Sequence, residues 1–136
     1  MLRVNKKIEY GVLALLHLAQ HEEQTSCVRD IASHCQIPEP LLSKIMQTMK
    51  GSGLVAAVHG SRGGYRLGRA LSAISLLDIN NVLAGPVRVA ECLDPQNTEC
   101  PARLNCTLVT PMTVLNRKII SLFQSTSLDS LREVRP

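Results

Sequence analysis

A mainly α-helical domain carrying one small β-hairpin is the fold this sequence predicts, and three observations carry the prediction. Two short helix-period segments, over about 26–35 and 38–50, are joined by the tight connection Gln36-Ile37. Two strand-like runs then flank the Gly-rich turn His59-Gly60-Ser61-Arg62-Gly63-Gly64. Helical spacing returns beyond the hairpin and ends in a long helix over about 110–124. Two short helices with a tight connection, the second followed by a basic two-stranded turn, make a winged helix-turn-helix.

Each element has its own justification. Asn5 caps a first helix, and Ile8, Val12, Leu15, Leu16 and Ala19 follow at helical spacing. His21-Glu22-Glu23-Gln24 ends it. Ser26 is placed to cap the second helix, whose inner face is Val28, Ile31 and Ala32. Pro38 and Pro40 are compatible only with the first turn of the third, where no intrahelical donor is needed. Leu41, Leu42, Ile45, Met46 and Met49 form its inner face, and Gly51-Ser52-Gly53 stops it. Residues 54–58 and 65–67 read as the hairpin strands.

Ser75-x-x-Asp78 is a capping box opening the next helix, with Leu76, Ile79, Val82 and Leu83 inside and Gly85-Pro86 at its close. Residues 87–106 have no period. Thr110-Pro111 forms a cap and first turn for the long helix, where Met112, Leu115, Ile119 and Leu122 make a narrow apolar seam. That seam is expected to pack on a twin helix in a homodimer. Leu128 and Leu131 indicate one more short turn. The chain thus divides into a winged helix-turn-helix over 1–69 and a second part over 70–136, made of the aperiodic loop and the dimerisation helix.

Composition bounds the function. With 136 residues, 45% hydrophobic and 19% charged, the chain buries a core without disulfide staples. Aromatics are 2% with no Trp, which argues against stacking platforms for single-stranded nucleic acid. The longest apolar stretch, 12–19, is broken by His17, so no membrane span is expected. The basic residues 1–7 precede no cleavage-type site, so no signal peptide is read and a cytoplasmic protein is expected.

Charge is uneven. Residues 1–69 hold nine Lys/Arg and five Asp/Glu, a net of +4, whereas residues 70–136 hold six of each. A basic half joined to a neutral half fits a polyanion-facing head. The outward face of the third helix carries Glu39, Ser43, Lys44, Gln47 and Lys50, polar groups suited to a major groove. Arg62 at the hairpin tip, with His59 and Arg66 nearby, suits phosphate and minor groove. A dimer doubles these contacts and reads a palindromic double-stranded operator.

The odd count of five cysteines, with no export signal, makes a disulfide framework a poor reading. Cys27 and Cys35 fall in a helical pattern and read as small core residues. Cys92-x7-Cys100-x5-Cys106 lies in the aperiodic loop among Pro95, Asn97, Pro101 and Asn105. Three thiols in such a loop fit an iron–sulfur cluster, with a fourth ligand from elsewhere. The absence of C-x2-C spacing makes zinc a weaker reading. His17, His21 and His34 show no metal-ligand spacing and read as surface or packing residues. No catalytic constellation is present, so the chain is not read as an enzyme.

In these residues the chain resembles the winged-helix transcription regulators that hold an iron–sulfur cluster, the family of IscR, NsrR and RirA. The likeness runs through residues 1–10, Asp30-Ile31-Ala32, Ile37-Pro38-Glu39-Pro40-Leu41-Leu42-Ser43-Lys44-Ile45, Gly53-Leu54-Val55, the hairpin Gly60-Ser61-Arg62-Gly63-Gly64-Tyr65-Arg66-Leu67, Ile74-Ser75-Leu76-Leu77-Asp78-Ile79 and the cysteine triad. The resemblance implies a recognition helix over 38–50, a wing over 59–65 and cluster ligation by Cys92, Cys100 and Cys106. Its DNA-contacting set is then Glu39, Pro40, Ser43, Lys44, Gln47, His59, Gly60, Ser61, Arg62, Gly63 and Arg66. Some members use a His three residues after the third cysteine, where this chain has Val109. Others place an acidic ligand, from the opposite subunit, where this chain has Glu9. Many have Arg where this chain has His59.

The resulting expectation is a repressor whose operator affinity depends on a 2Fe–2S or 4Fe–4S cluster. The rivals are a regulator of the same fold using the three loop cysteines as a zinc or thiol–disulfide switch, and an electron-transfer or cluster-carrier protein, which leaves the basic head unexplained.

Overall fold

The computed structural model describes residues 3–102 and 104–132. Helix α1 (Lys6–Gln20) starts at the expected cap, the Lys7 N–H donating to Asn5 Oδ1 at 2.8 Å. Its buried stripe is Ile8, Ala14, Leu15 and Leu18. Gly11 lies where α1 meets α4, and a Cβ there would stand 2.5 Å from Leu83 Cδ1, so a larger residue obliges the Leu83 side chain to shift.

Helix α2 (Val28–Cys35) departs from expectation at its start. Its N-cap is Cys27, with no side-chain cap, rather than Ser26. The reason is a backbone bridge: Ser26 N donates to Tyr65 O at 3.0 Å and Tyr65 N to Ser26 O at 2.8 Å, holding Ser26 extended against the hairpin. Cys27 and Cys35 are half-buried at the two ends of α2; Cys35 packs against the core, and Cys27 is the N-cap rather than a core residue. Gln36 turns the chain in the left-handed region at φ 55°, its N–H on Ala32 O. Helix α3 (Glu39–Gly51) follows with Pro40 in its first turn and Leu42, Ile45, Met46 and Met49 buried.

Strands β1 (Val55–Val58) and β2 (Gly64–Leu67) pair antiparallel, Val55 opposite Leu67 and Val58 opposite Gly64. Helix α4 (Leu76–Leu83) opens on the expected capping box, Asp78 N on Ser75 Oγ at 3.0 Å and Ser75 N on Asp78 Oδ2 at 2.9 Å. Helix α5 (Val109–Ser125) begins before Thr110, with Leu108 as N-cap. The Met112 N–H already reaches Leu108 O at 3.0 Å, so Thr110 is inside the helix and caps nothing.

After α5 the chain returns to the body. Leu76 N donates to Thr126 O, Leu128 N donates to Ile74 O, and Leu128 opens the short helix α6 (Leu128–Arg132) fully buried. One core cluster runs from Ile8 to Leu128. Each fully buried Leu, Ile or Met in it contributes about 1.5–3 kcal/mol relative to exposure.

Helix α5 adds no buried residue to that core. The expected seam lies along one face of the helix, and its residues differ in exposure. Leu115 and Leu122 are 42% and 61% exposed, and Leu108 joins them at 55%. Seven residues bring a helix round to nearly the same angle, so these three form one outward stripe. Met112 and Ile119 are half-buried instead. Between those two on the sequence, Asn116 ties α5 to the preceding loop: its Nδ2 donates to Val87 O at 3.0 Å, and its Oδ1 accepts from Val89 N at 2.9 Å.

Candidate nucleic-acid interface and cysteine loop

The outer face of α3 presents Glu39, Pro40, Lys44, Gln47 and Lys50 exposed, with Ser43 half-buried at its edge. Thr48, absent from the expected set, is exposed on the same helix, and its Oγ1 donates back to Lys44 O at 3.0 Å. In the wing His59, Gly60, Ser61, Arg62 and Arg66 are exposed and Gly63 half-buried. Arg69, also exposed, continues the basic run past the wing; the spacing 62, 66, 69 was its signal in the sequence. Among the described residues no carboxylate pairs with Lys44, Lys50, Arg62, Arg66 or Arg69, the ion pairs being Lys6–Glu9, Arg88–Asp94 and Arg132–Asp129. A row of unneutralised cations on one helix and one hairpin is suited to phosphate.

The wing is anchored rather than loose. Thr25 Oγ1 donates to Arg62 O at 2.6 Å, and the Ser26–Tyr65 bridge fixes the base of β2 to the start of α2. The orientation of Arg62 relative to α3 is thereby set by the segment entering α2. Nothing in the sequence pattern singled out Thr25. Arg62→Ala is expected to weaken binding to all duplex sequences alike and to lower the slope of log affinity against log salt by about one unit. Titration of labelled duplex at several salt concentrations checks it; an unchanged slope removes Arg62 from the phosphate contacts.

The three histidines form an arrangement that their spacing did not disclose. His17 stacks on His21 at 4.5 Å between ring centroids and meets His34 of α2 at 4.9 Å. His21 Nδ1 lies 2.9 Å from His17 O. The only sequence signal was the four-residue step from His17 to His21, one helical turn. His17 is buried, and its Nδ1 has no partner among the described residues. Burial, then the neighbouring His21 and His34, hold its pKa below the ordinary value, with Asp30 opposing. A folded pKa below the unfolded one means that the unfolded chain takes up the proton first. Stability is then complete above about pH 6.5 and declines as pH falls through the unfolded pKa. Denaturant unfolding of the protein and of His17→Leu at pH 7.5 and 5.5 is expected to show the larger acid loss in the histidine protein. Parallel profiles would remove His17 from the pH response.

The loop between α4 and α5 holds the other candidate residues. A single 3-10 turn spans Glu91–Leu93. Cys92 and Cys106 are half-buried, Cys100 is exposed, and all three thiols are free. The bonds inside the loop are local turns: Gln96 N on Asp94 Oδ1, Glu99 N on Asn97 Oδ1, and Asn105 N on Ala102 O. Arg88 pairs with Asp94 at 3.1 Å. Among the described residues no three His, Cys, Asp or Glu side chains are grouped to hold a metal ion. The sequence puts the three thiols in one loop, and the structure does not bring them to one point. Local turns alone supply no force that would gather them. The donor set nonetheless fits a thiolate-bound group in its chemistry, because three uncommitted thiols share one short segment. Glu9 lies in the first turn of α1, half-exposed and paired with Lys6 Nζ at 2.8 Å.

Comparison with known proteins bears on this architecture. A family model described as "Rrf2: Iron-dependent Transcriptional regulator" matches residues 4–133. The chain belongs to the Rrf2 family of transcriptional regulators. Protein aau3 of Rhizobium meliloti is 31% identical to this Rrf2 regulator over 135 residues, covering 99% of this chain and 88% of the relative. The regulator IscR of Vibrio cholerae is 35% identical over 106 residues, 77% of this chain and 57% of that one. CymR of Bacillus subtilis is 31% identical over 96 residues, 70% of each. Its solved structure, described as that of the global cysteine regulator, superposes with a TM-score of 0.77 over the whole of both chains at 27% identity. This Rrf2 regulator is therefore a winged-helix transcriptional regulator and not an enzyme. No helix among its described residues is long and apolar enough to cross a membrane.

Proposed function

We propose that this Rrf2 regulator is a homodimeric cytoplasmic repressor that binds a palindromic operator, with its affinity set by an iron–sulfur cluster on Cys92, Cys100 and Cys106. The observation that carries the reading is the placement of those three free thiols. They lie in a loop tied at its start to α5 through Asn116, while the DNA-facing cations lie on α3 and the wing. A cluster, 2Fe–2S or 4Fe–4S, supplies iron–thiolate bonds that tie the three positions together. Reducing conditions keep the thiols available.

The outward stripe Leu108, Leu115 and Leu122 supports the dimer, because an isolated protomer rarely leaves a regular apolar row in water. Met112 and Ile119 then steady α5 from its half-buried side. The two recognition helices are spaced by the dimer, so ordering the loop shifts the population between spacings. A difference of about 1–3 kcal/mol between two such states changes affinity by roughly 5–150-fold.

Glu9, contributed across the dimer, is the proposed fourth ligand. A carboxylate is a harder, weaker partner for iron than thiolate, which makes that corner labile. In the free protomer its Lys6 pair is exposed and holds it only weakly. Glu9→Ala is expected to keep the fold, lose the cluster several times faster on exposure to air, and respond less to it in DNA binding. Equal loss rates would assign the fourth position elsewhere.

The second reading is a zinc or thiol–disulfide switch on the same three cysteines. It is favoured by their being free thiols and by the similarity to CymR, a cysteine regulator. Anaerobic purification followed by visible absorption and Mössbauer spectroscopy separates the two. A cluster gives a coloured, iron-containing protein, and a colourless protein with zinc or a disulfide decides for the switch.

A further inference from the structure

A cleft of about 730 Å³ opens between the start of α1, α4, residues 86–89 and α5. That size is ordinary for a small-molecule site. Its walls are apolar, with Ile8, Leu76, Val87, Ile119 and Phe123 among them, and the part-exposed Leu115 stands at its edge. Arg3 and Arg88 line it, and among the described residues no Asp or Glu does. The amides of Asn5 and Asn80 are the remaining polar groups, Asn80 Nδ2 already donating to Gly85 O at 2.8 Å. Apolar walls with two arginines fit one kind of guest: an organic anion with an apolar tail. Arg presents a planar fork that matches a carboxylate with two parallel bonds.

The Arg88 guanidinium is already engaged from outside the cleft by Asp94, at 3.1 Å. Asp94 stands two residues after Cys92, and Arg88 lies between the two residues that Asn116 grips. A second carboxylate arriving at Arg88 therefore competes with the ion pair that folds the start of the cysteine loop. We propose that this cleft binds a small amphipathic carboxylate, tail against α1, α4 and α5 and headgroup on Arg3 and Arg88, and that binding displaces Asp94 from Arg88. The site is an effector pocket beside the cysteine loop, and occupancy changes how that loop is held.

The inference does not depend on a cluster, so it is tested on the full chain without metal or DNA. The probes are octanoate, hexanoate, octanol and octylamine, measured by titration calorimetry with light scattering in parallel. Octanoate is expected to bind, and hexanoate to bind roughly sixteenfold more weakly, since each of the two missing methylenes is worth about a fourfold gain when buried. Octanol and octylamine should bind at least tenfold more weakly than octanoate. Arg88→Gln should weaken octanoate at least tenfold and leave octanol unchanged, with Arg3→Gln as the alternative variant should Arg88→Gln fail to fold. Asp94→Asn, which removes the competitor, should tighten octanoate at least threefold, an effect that a merely structural Asp94 does not produce. No octanoate binding, equal binding of octylamine or octanol, or unchanged affinity in Asp94→Asn overturns the proposal. So does octanoate uptake only as the particle mass halves, which would give the cleft to a second copy of the chain.

Discussion

Cys100→Ala is expected to leave a soluble, folded protein that retains no iron after anaerobic purification. Cys100 is exposed, and the local turns around it rest on Asp94, Asn97 and Ala102 rather than on its own side chain. Removing the thiol therefore costs the fold little, whereas removing one of three thiolate ligands takes away an iron–sulfur bond that alanine has no atom to replace. Cys92→Ala and Cys106→Ala are expected to do the same. Cys27→Ala and Cys35→Ala should keep full iron content, because those residues stand at the two ends of α2 and not in the loop. Burial also pushes the Cys35 thiol's pKa up, which disfavours the thiolate that iron requires. Iron analysis and the visible spectrum of the five variants check the pattern. An iron-replete Cys100→Ala protein with an unchanged spectrum would sink the assignment.

Gly64→Ala is expected to reduce operator affinity at least tenfold without touching a DNA-facing side chain. Gly64 opens β2 next to the bridge between Tyr65 and Ser26. A Cβ at this position would lie 2.6 Å from Ser26 O and 2.9 Å from Cys27 N. Both are backbone atoms, so no flexible side chain is available to move aside. Overpacking of this kind costs about 1–3 kcal/mol. The relief open to the chain is for the hairpin to swing away from α2, which stretches the two Ser26–Tyr65 bonds and carries Arg62 off its Thr25 anchor. Helix content by circular dichroism should be retained, since α1 to α3 pack through Leu15, Ile31, Leu42 and Met46 rather than through the wing. Wild-type affinity in Gly64→Ala would show that the wing's seat on α2 is irrelevant to DNA binding.

What could be read from the sequence was what depends on neighbours in the chain. The Asn5 cap, the Ser75–Asp78 capping box and Pro40 in the first turn of α3 are local devices, and each stands where its spacing put it, whereas Pro38, expected in that turn, is the N-cap before it. The polar outer face of α3 and the basic hairpin followed from periodicity and charge. Ser26 was misplaced because its backbone is claimed by Tyr65, thirty-nine residues away, and no local pattern reveals that pairing. Thr110 was misplaced because α5 starts from the apolar Leu108, without a side-chain cap. The seam on α5 was legible as one stripe, because a three-four alternation keeps to one face of a helix. Only the body packed beside it decides that Met112 is half-buried and Leu115 more exposed. The histidine stack joins α1 to α2, and so required the crossing of two helices to be known. The cysteines were legible as a set, but a loop built of local turns does not itself gather them.

The return of the chain after α5 has a consequence for synthesis. Leu128 is fully buried in a core otherwise built from residues 8–83, and its amide closes on Ile74. A growing polypeptide therefore cannot complete the head that faces DNA until residue 128 has emerged from the ribosome. By then the cysteine loop and the whole of α5 have already been made. No stage of translation therefore yields a finished core before the cysteine loop and α5 have been made. A product truncated within α5 lacks Leu128, and the gap left in its core costs about 2–5 kcal/mol of stability.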